Sequence, residues 1–173
     1  MKKKTLWIAE TAVLIALLVV LQFVTKPLGQ LVTGSCVNAV LATAVLIAGL
    51  GSGLTVAVLS PFFAFILGIG PQLFPITPAI AAGNCVLVIL LHLICRDSLS
   101  LPRRVIACAA ASFGKFLALY LLVVQLLCRV LELAEKQVAT FTAMFSWPQL
   151  TTALIGSAIA LLIIPRIKTA LHK

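Results

Sequence analysis

Acidic residues are scarce in this sequence: its 173 residues include only four Asp and Glu, and charged residues make up 10% of the chain. Soluble domains carry about 25% charged and roughly 45–50% apolar residues, whereas 62% of this chain is hydrophobic and its mean hydropathy is +1.23. A chain of this length leaves about a third of its surface exposed, so it cannot bury that excess. The composition excludes a soluble enzyme, a disordered tail and a disulfide-stapled secreted domain. It predicts a single integral membrane domain over residues 1–173.

Motifs of catalysis and metal binding are also missing. The chain has no H-E-x-x-H, no G-x-S-x-G and no paired carboxylates within its apolar runs. Its five cysteines are odd in number and form no C-x-x-C pair, so we interpret them as small hydrophobic residues. Phe113-Gly114-Lys115 resembles the end of a phosphate-binding loop, but Ala109 stands where that motif needs glycine. We therefore expect no enzyme, no metal and no cofactor.

An internal source of energy for transport is not apparent either. Proton-coupled carriers usually have an Asp or Glu deep within a membrane span. The only acid inside an apolar run is Glu10, which lies near the start of the first one. We expect that this chain cannot energise transport by itself.

The hydrophobic residues form continuous runs rather than an alternating pattern, which favours helices over a closed barrel. A spanning helix needs about 20 largely apolar residues. Glycines at 49, 51 and 53 predict a tight helical hairpin between the second and third runs. The fold class is therefore all-α, a polytopic six-transmembrane-helix bundle. Its six spans are predicted at 6–24, 33–50, 54–70, 76–95, 104–127 and 148–165.

The net charge of +9 is distributed as in a membrane protein and not as a nucleic-acid-binding surface. Because basic residues favour the cytoplasmic side, the distribution predicts that both termini are cytoplasmic. The side of the N-terminus carries Lys2, Lys3, Lys4, Arg96, Arg103, Arg104, Arg166, Lys168 and Lys173. The opposite side carries only Lys26, Arg129 and Lys136.

Polar residues at membrane depth are costly and usually face the bundle interior or a cavity. Lys115 lies near the middle of the 104–127 run, about 18 Å from either end at 1.5 Å per residue. It requires a partner there, either a substrate anion or backbone carbonyls and water. Buried asparagines serve equally as interhelical contacts or as ligand contacts. The candidate substrate-binding residues are Lys115, Asn84, Asn38, Gln72, Gln125 and Gln149.

The segments on the side opposite the termini are the more elaborate ones. Residues 68–78 contain three prolines, which forbid a simple helical continuation. Residues 129–147 place Leu131, Ala134, Val138, Phe141 and Phe145 at spacings of three and four. Two interpretations of this segment stay open: a helix that folds over the bundle or lies in the interface, and an extension of the fifth helix into water.

Small residues on the first helix complete the pattern. Ala12 and Ala16 form a small-x-x-x-small pair, with Ala9 nearby, and this spacing permits close approach of another helix. Together with six spans, proline-rich loops, the stretch Gly49–Pro71 and the motif Ala82-Gly-Asn84, the chain resembles the substrate-binding S component of an energy-coupling factor (ECF) vitamin transporter. The similarity is to the branch with riboflavin- and pantothenate-type components, and it covers nearly the whole chain.

The resemblance implies a mechanism. An S component has no ATPase; it captures a vitamin from outside, in a pocket formed by helices four to six and the loops after helices one, three and five. It then docks on a transmembrane coupling subunit driven by two cytoplasmic ATPases and is thought to topple in the bilayer. The alanine motif would be the docking surface, here Ala12 and Ala16 with Ala9. The expected location is the bacterial cytoplasmic membrane.

Lys115 favours an anionic ligand, such as a carboxylate-bearing vitamin, with pantothenate as one candidate. Two other classes stay open at this point. One is a structural six-span membrane protein, such as a partner of the cell-shape machinery. The other is a small facilitator that works without ATPases.

Overall fold

The computed structural model describes residues 2–95 and 100–170, without the side chains of Lys2 and Lys3. Arg96 and Lys173, which contribute to the predicted charge asymmetry, lie outside the described residues. The described chain is mostly helical and contains no strand. Its helices are α1 (Lys2–Thr25), α2 (Gln30–Thr43), α3 (Leu50–Ile66), α4 (Ile76–Ile94), α5 (Leu101–Leu119), α6 (Glu135–Phe145) and α7 (Trp147–Ala170).

Two helices continue beyond their regular part. A π-helical segment, Ala44–Ala48, extends α2, and another, Tyr120–Leu127, extends α5 before a last α-helical turn at Cys128–Val130. Helical segments long and apolar enough to cross a membrane are Lys4–Leu28, Gln30–Ala48, Ile76–Ile94, Leu101–Val130 and Glu135–Ala170. The remaining predicted span, 54–70, corresponds to the shorter apolar α3, whose 17 residues reach about 26 Å. The predicted all-α membrane fold is confirmed.

The hairpin between α2 and α3 is tighter than predicted. Only Gly49 separates the two helices, with a φ of +88° that favours glycine. Gly53 lies within α3, where an added Cβ would come 2.9 Å from side-chain atoms of both Val45 and Val88. The predicted 49–53 linker is therefore wrong after its first residue, because Gly53 serves close packing rather than a turn. The spans predicted at 33–50 and 54–70 consequently begin at Gln30 and Leu50.

The loop between α3 and α4 begins earlier than predicted. Helix α3 ends at Ile66 rather than at residue 70, and Gly68 and Gly70 follow with φ of +67° and +73°. Pro71 and Pro75 keep the chain out of the helix until α4 starts at Ile76, as predicted. At the other end of the chain, α7 passes through Pro165 and continues to Ala170, beyond the predicted boundary.

The bundle has two unlike ends. We call the end that contains Gly49 the hairpin end, and the end that contains residues 26–29, 67–75 and 131–134 the loop end. Helices α2 and α7 pack closely, and α3, α4, α5 and α7 form successive neighbouring pairs. Helix α1 packs on α2 and α3 and leaves one side exposed. The hairpin half is filled by a buried apolar cluster that includes Leu18, Leu41, Val45, Val56, Ala57, Leu87, Val88, Leu91, Ala107, Ala111, Ala160 and Ile164.

The segment 129–147 forms a separate helix. The chain turns at residues 131–134, where Glu132 has a φ of 48°, and α6 then runs from Glu135 to Phe145. Phe141 and Phe145 are buried in an apolar cluster with residues of α4 and α5, including Ile76 and Leu119. The stripe at 138, 141 and 145 was therefore predicted correctly, whereas Ala134 is exposed. Of the two interpretations, the structure supports a helix folded against the bundle.

Candidate binding cavity

A cavity of about 430 Å³ lies in the loop half of the bundle. This volume falls within the range of small-molecule pockets, about 300–1,000 Å³. The lining extends from loop residues such as Gly29 and Gly68 to residues in the middle of α2, α4 and α5. Its polar and charged members are Gln22, Lys26, Gln30, Thr33, Asn38, Ser60, Thr77, Asn84, Lys115 and Gln149.

Lys115 is the buried cation of this cavity, with 3% of its surface exposed. It lies half-way along the continuous helical run Leu101–Val130, as the sequence predicted. Its ammonium donates hydrogen bonds to Oδ1 of Asn38 at 2.5 Å and to Oδ1 of Asn84 at 2.7 Å. The three residues that sequence analysis selected for their depth therefore meet at one point, although they come from three different helices.

The orientation of Asn84 depends on a proline in the neighbouring helix. Pro61 has no backbone N–H, so the carbonyl of Ala57, four residues earlier in α3, lacks its usual helical donor. Nδ2 of Asn84 donates to this carbonyl at 3.4 Å. With its amide nitrogen engaged there, Asn84 presents its oxygen to Lys115. Pro61 therefore acts as a positioning residue for the ammonium's partner.

The orientation of Asn38 depends on α7. Its Nδ2 donates to Oγ1 of Thr152 at 3.3 Å, and that hydroxyl donates to the carbonyl of Gln149 at 3.2 Å. Helices α2 and α7 approach closely because Gly156 has no side chain: an added Cβ would come 2.5 Å from Cβ of Asn38. The small residue on α7 thus decides where the amide of Asn38 lies.

The charges on the cavity wall are all positive. Lys26 is the second lysine of the lining, and its Nζ donates to the carbonyl of Leu67 at 2.7 Å, which joins two loops at the mouth. Among the described residues that line the cavity there is no Asp or Glu. The ammonium of Lys115 is therefore balanced on this wall by neutral amide oxygens alone, and the cavity suits a negatively charged occupant.

The predicted glutamines separate into two groups. Gln149 lines the cavity, and its Nε2 donates to the carbonyl of Met144 at the end of α6. Gln72 and Gln125 do not line it. Gln72 is exposed in the loop, and Gln125 bonds to the Tyr120 hydroxyl and accepts from Arg129, one turn along the same helix. The positions of these residues in the sequence did not separate them, because Gln72 lies in a loop and the helix faces of Gln125 and Gln149 depend on packing.

Several lining residues were missed from the sequence. Gln22, near the end of α1, is one of them; its Nε2 donates to the carbonyl of Ser60 at 3.1 Å. Gln30 donates to the carbonyl of Met144 at 2.8 Å, so that α6 is held over the mouth. The signal for Gln22 was available: it is an amide inside the first apolar run. Thr33, Ser60 and Thr77 have no such signal, because small hydroxyl residues are common in membrane helices.

The small residues of α1 lie on the surface of the bundle. Ala9, Ala12 and Ala16 are all exposed, and so are their larger neighbours Val13 and Leu17. Helix α1 therefore presents an apolar face that the rest of the described chain does not cover.

Comparison with protein families identifies the molecule. The family model described as "ECF transporter, substrate-specific component" matches residues 7–168. The chain belongs to this family. Searches of curated proteins and of solved structures gave no match.

Membership makes the chain the substrate-specific (S) component of an ECF transporter, a membrane transport protein rather than an enzyme. It implies a coupling subunit, an ATPase module and a small-molecule substrate. The match favours this class over the structural-partner and facilitator alternatives.

Proposed function

We propose that this S component binds an anionic vitamin in the cavity around Lys115, with pantothenate as the leading candidate. The observation that carries the proposal is a buried ammonium on a cavity wall whose described residues include no acid. On this proposal the chain is a single membrane domain of the riboflavin- and pantothenate-type branch. Asn38, Asn84 and Gln149 would contribute polar contacts around the same ligand.

The hydrogen bonds of Lys115 support an anionic ligand. An ammonium has three donors, and the amide oxygens of Asn38 and Asn84 accept two of them. One donor is left for an oxygen of the ligand. A carboxylate there would supply the negative charge that the neutral amides lack, and charge-assisted hydrogen bonds are stronger than neutral ones. A neutral vitamin would leave the desolvated charge without a counter-charge.

The loop end would face the outside of a bacterial cytoplasmic membrane. The basic residues Lys4, Arg103, Arg104, Arg166 and Lys168 belong to helix ends at the hairpin end, which supports a cytoplasmic location for that end and for both termini. The cavity would then open outward for capture. Release into the cell would require movement of the whole component, powered by two cytoplasmic ATPases through the coupling subunit.

The exposed face with Ala9, Ala12 and Ala16 would be the docking surface for the coupling subunit. Its exposure and small side chains support close approach of a second helix. Replacing Ala12 with Trp is expected to abolish co-purification with the coupling subunit while vitamin binding persists. Phe113→Trp, on the exposed side of α5, is the matched control. Normal assembly of the Ala12→Trp variant would refute this assignment.

Ligand binding can be tested by thermal shift of the detergent-purified protein with anionic vitamins (pantothenate, biotin, nicotinate) and with neutral or cationic ones (riboflavin, pyridoxine, thiamine). Mass spectrometry would identify any vitamin that co-purifies. We expect stabilisation by pantothenate, and a loss of at least about 100-fold in its affinity in Lys115→Met, since a desolvated charge pair disappears. Lys136→Met, which removes an exposed lysine on α6, should bind normally. Unchanged affinity in Lys115→Met would overturn the anionic assignment.

A further inference from the structure

One polar atom in the cavity wall, on Gln22, has no hydrogen-bond partner among the described residues. Gln22 is 2% exposed and lines the cavity. Its Nε2 donates to the carbonyl of Ser60, whereas its Oε1 is buried and accepts no hydrogen bond from the described residues. Buried polar atoms are nearly always paired, so an orphaned acceptor calls for a specific explanation.

Reversing the Gln22 side-chain amide does not give its oxygen a hydrogen-bond donor. With the amide reversed, the oxygen would face the carbonyl oxygen of Ser60, and two acceptors would be opposed. The bond to Ser60 therefore fixes Gln22 with its nitrogen on α3 and its oxygen unpaired. Oε1 itself is buried, but Gln22 lines the cavity, so a small shift of the side chain toward an occupant would bring this oxygen to a donor there.

From this geometry we infer that Gln22 is a specificity-determining residue, whose Oε1 accepts a hydrogen bond from a hydroxyl or amide N–H group of the substrate. This inference rests on the proposed function and deepens it. The substrate then carries two recognisable groups: an anion for Lys115 and a hydrogen-bond donor for Gln22. A vitamin with an anionic group but no such donor would leave the buried oxygen unpaired and would bind more weakly.

An unpaired buried oxygen in the protein discriminates effectively between substrates with and without the hydrogen-bond donor. A site that is built to hydrogen-bond a substrate group rejects an analogue without that group, since its own buried atom stays unsatisfied. Pantothenate offers both hydroxyl and amide donors, so it satisfies the requirement and allows each donor to be removed in turn.

The experiment is a cycle of ligands and variants. Affinities of the purified wild-type protein would be measured for pantothenate, for analogues in which a hydroxyl is replaced by hydrogen, and for the N-methyl amide. We expect one of these changes to weaken binding by about 10- to 100-fold. In Gln22→Met, the same change should cost less than about threefold, because the acceptor oxygen is gone.

Thr43→Val is the matched control. Thr43 Oγ1 is the other buried side-chain oxygen without a partner in the described part of the chain, and Thr43 does not line the cavity. Its removal should leave the discrimination between pantothenate and its analogues unchanged.

Three results would count against the inference. If every analogue binds the wild type as tightly as pantothenate, no substrate donor pairs with Oε1 and the inference is overturned. The same holds if the penalty for the missing donor persists in Gln22→Met, or in Gln22→Leu should the first variant fail to fold. If the wild type binds none of the anionic vitamins, the proposed function itself fails, and this inference fails with it.

Discussion

The hairpin half and the loop half of the bundle are built by the same helices, yet they differ in chemistry. In α5, Ala111 is fully buried in the apolar cluster, and Lys115, one turn further, lies on the cavity wall. In α3 the same step leads from Ala57 to Pro61. The boundary between a packed core and a polar cavity is thus a single helical turn. Whether a buried residue of this bundle is polar therefore depends on its position along the helix as much as on the helix face.

The largest expected effect comes from moving the cation across this boundary. Ala111→Lys would place an ammonium in the apolar cluster, where buried neighbours offer no acid to pair with it. An uncompensated buried charge costs about 3–5 kcal/mol, so we expect severe loss of folded protein in detergent. Fluorescence-detected size exclusion would measure it, with Lys115→Met as the control that should remain folded. Normal yield of Ala111→Lys would mean that the two halves do not differ as described.

The next effect tests the close approach of α2 and α7. Gly156→Ala would bring a methyl group within 2.7 Å of the Ala39 nitrogen and the Ser35 oxygen, both backbone atoms that cannot yield without movement of the helix. Overpacking of this kind costs about 1–3 kcal/mol. We expect a lower melting temperature together with weaker pantothenate binding, because Asn38 moves with α2.

Gly51→Ala is the control for that substitution. It lies at the hairpin end, where the added methyl would meet the Trp7 side chain at an ordinary 3.5 Å. Because alanine favours a helix over glycine, this variant should be as stable as the wild type or more so. Equal melting temperatures for the two variants would contradict the role assigned to Gly156.

A smaller effect is expected from restoring the helical hydrogen bond that Pro61 removes. In Pro61→Ala, the backbone N–H of residue 61 would compete with Asn84 for the Ala57 carbonyl. We expect thermal stability to hold or rise while pantothenate affinity falls by about three- to tenfold, since Asn84 is less firmly oriented. Both quantities can be read from one thermal titration.

Pro165→Ala provides the comparison, because Pro165 also lies inside a helix but near the hairpin end of α7. It should raise stability without altering affinity. If affinity is unchanged in Pro61→Ala as well, Asn84 does not depend on the freed carbonyl.

The smallest expected effect is a difference in pantothenate binding between variants of two predicted glutamines, Gln149 and Gln125. Gln149 lines the cavity and bonds to Met144, whereas the side chain of Gln125 bonds to Tyr120 and Arg129. Gln149→Leu should weaken pantothenate binding by about two- to fivefold, and Gln125→Leu should leave it unchanged. Isothermal titration of both variants would measure this. If Gln125→Leu weakens pantothenate binding more than Gln149→Leu does, the ligand does not bind in this cavity.

Sequence by itself determined the class of molecule and the depth of its polar residues. Continuous apolar runs require helices in a membrane, because backbone groups have no other partners in lipid. The position of Lys115 at the middle of its run follows from counting residues at 1.5 Å each. The family was likewise recognisable from the sequence, and the family match confirms it.

Tertiary structure decided which polar residues meet. Gln125 and Gln149 look alike in the sequence, but only the latter faces the cavity, since that depends on how α5 and α7 rotate against their neighbours. The same holds for Gln22, whose importance lies in an unpaired oxygen that only its bond to Ser60 reveals. Contacts between helices distant in the chain depend on packing geometry, and small residues such as Gly156 determine that geometry without leaving a signal that sequence alone can interpret.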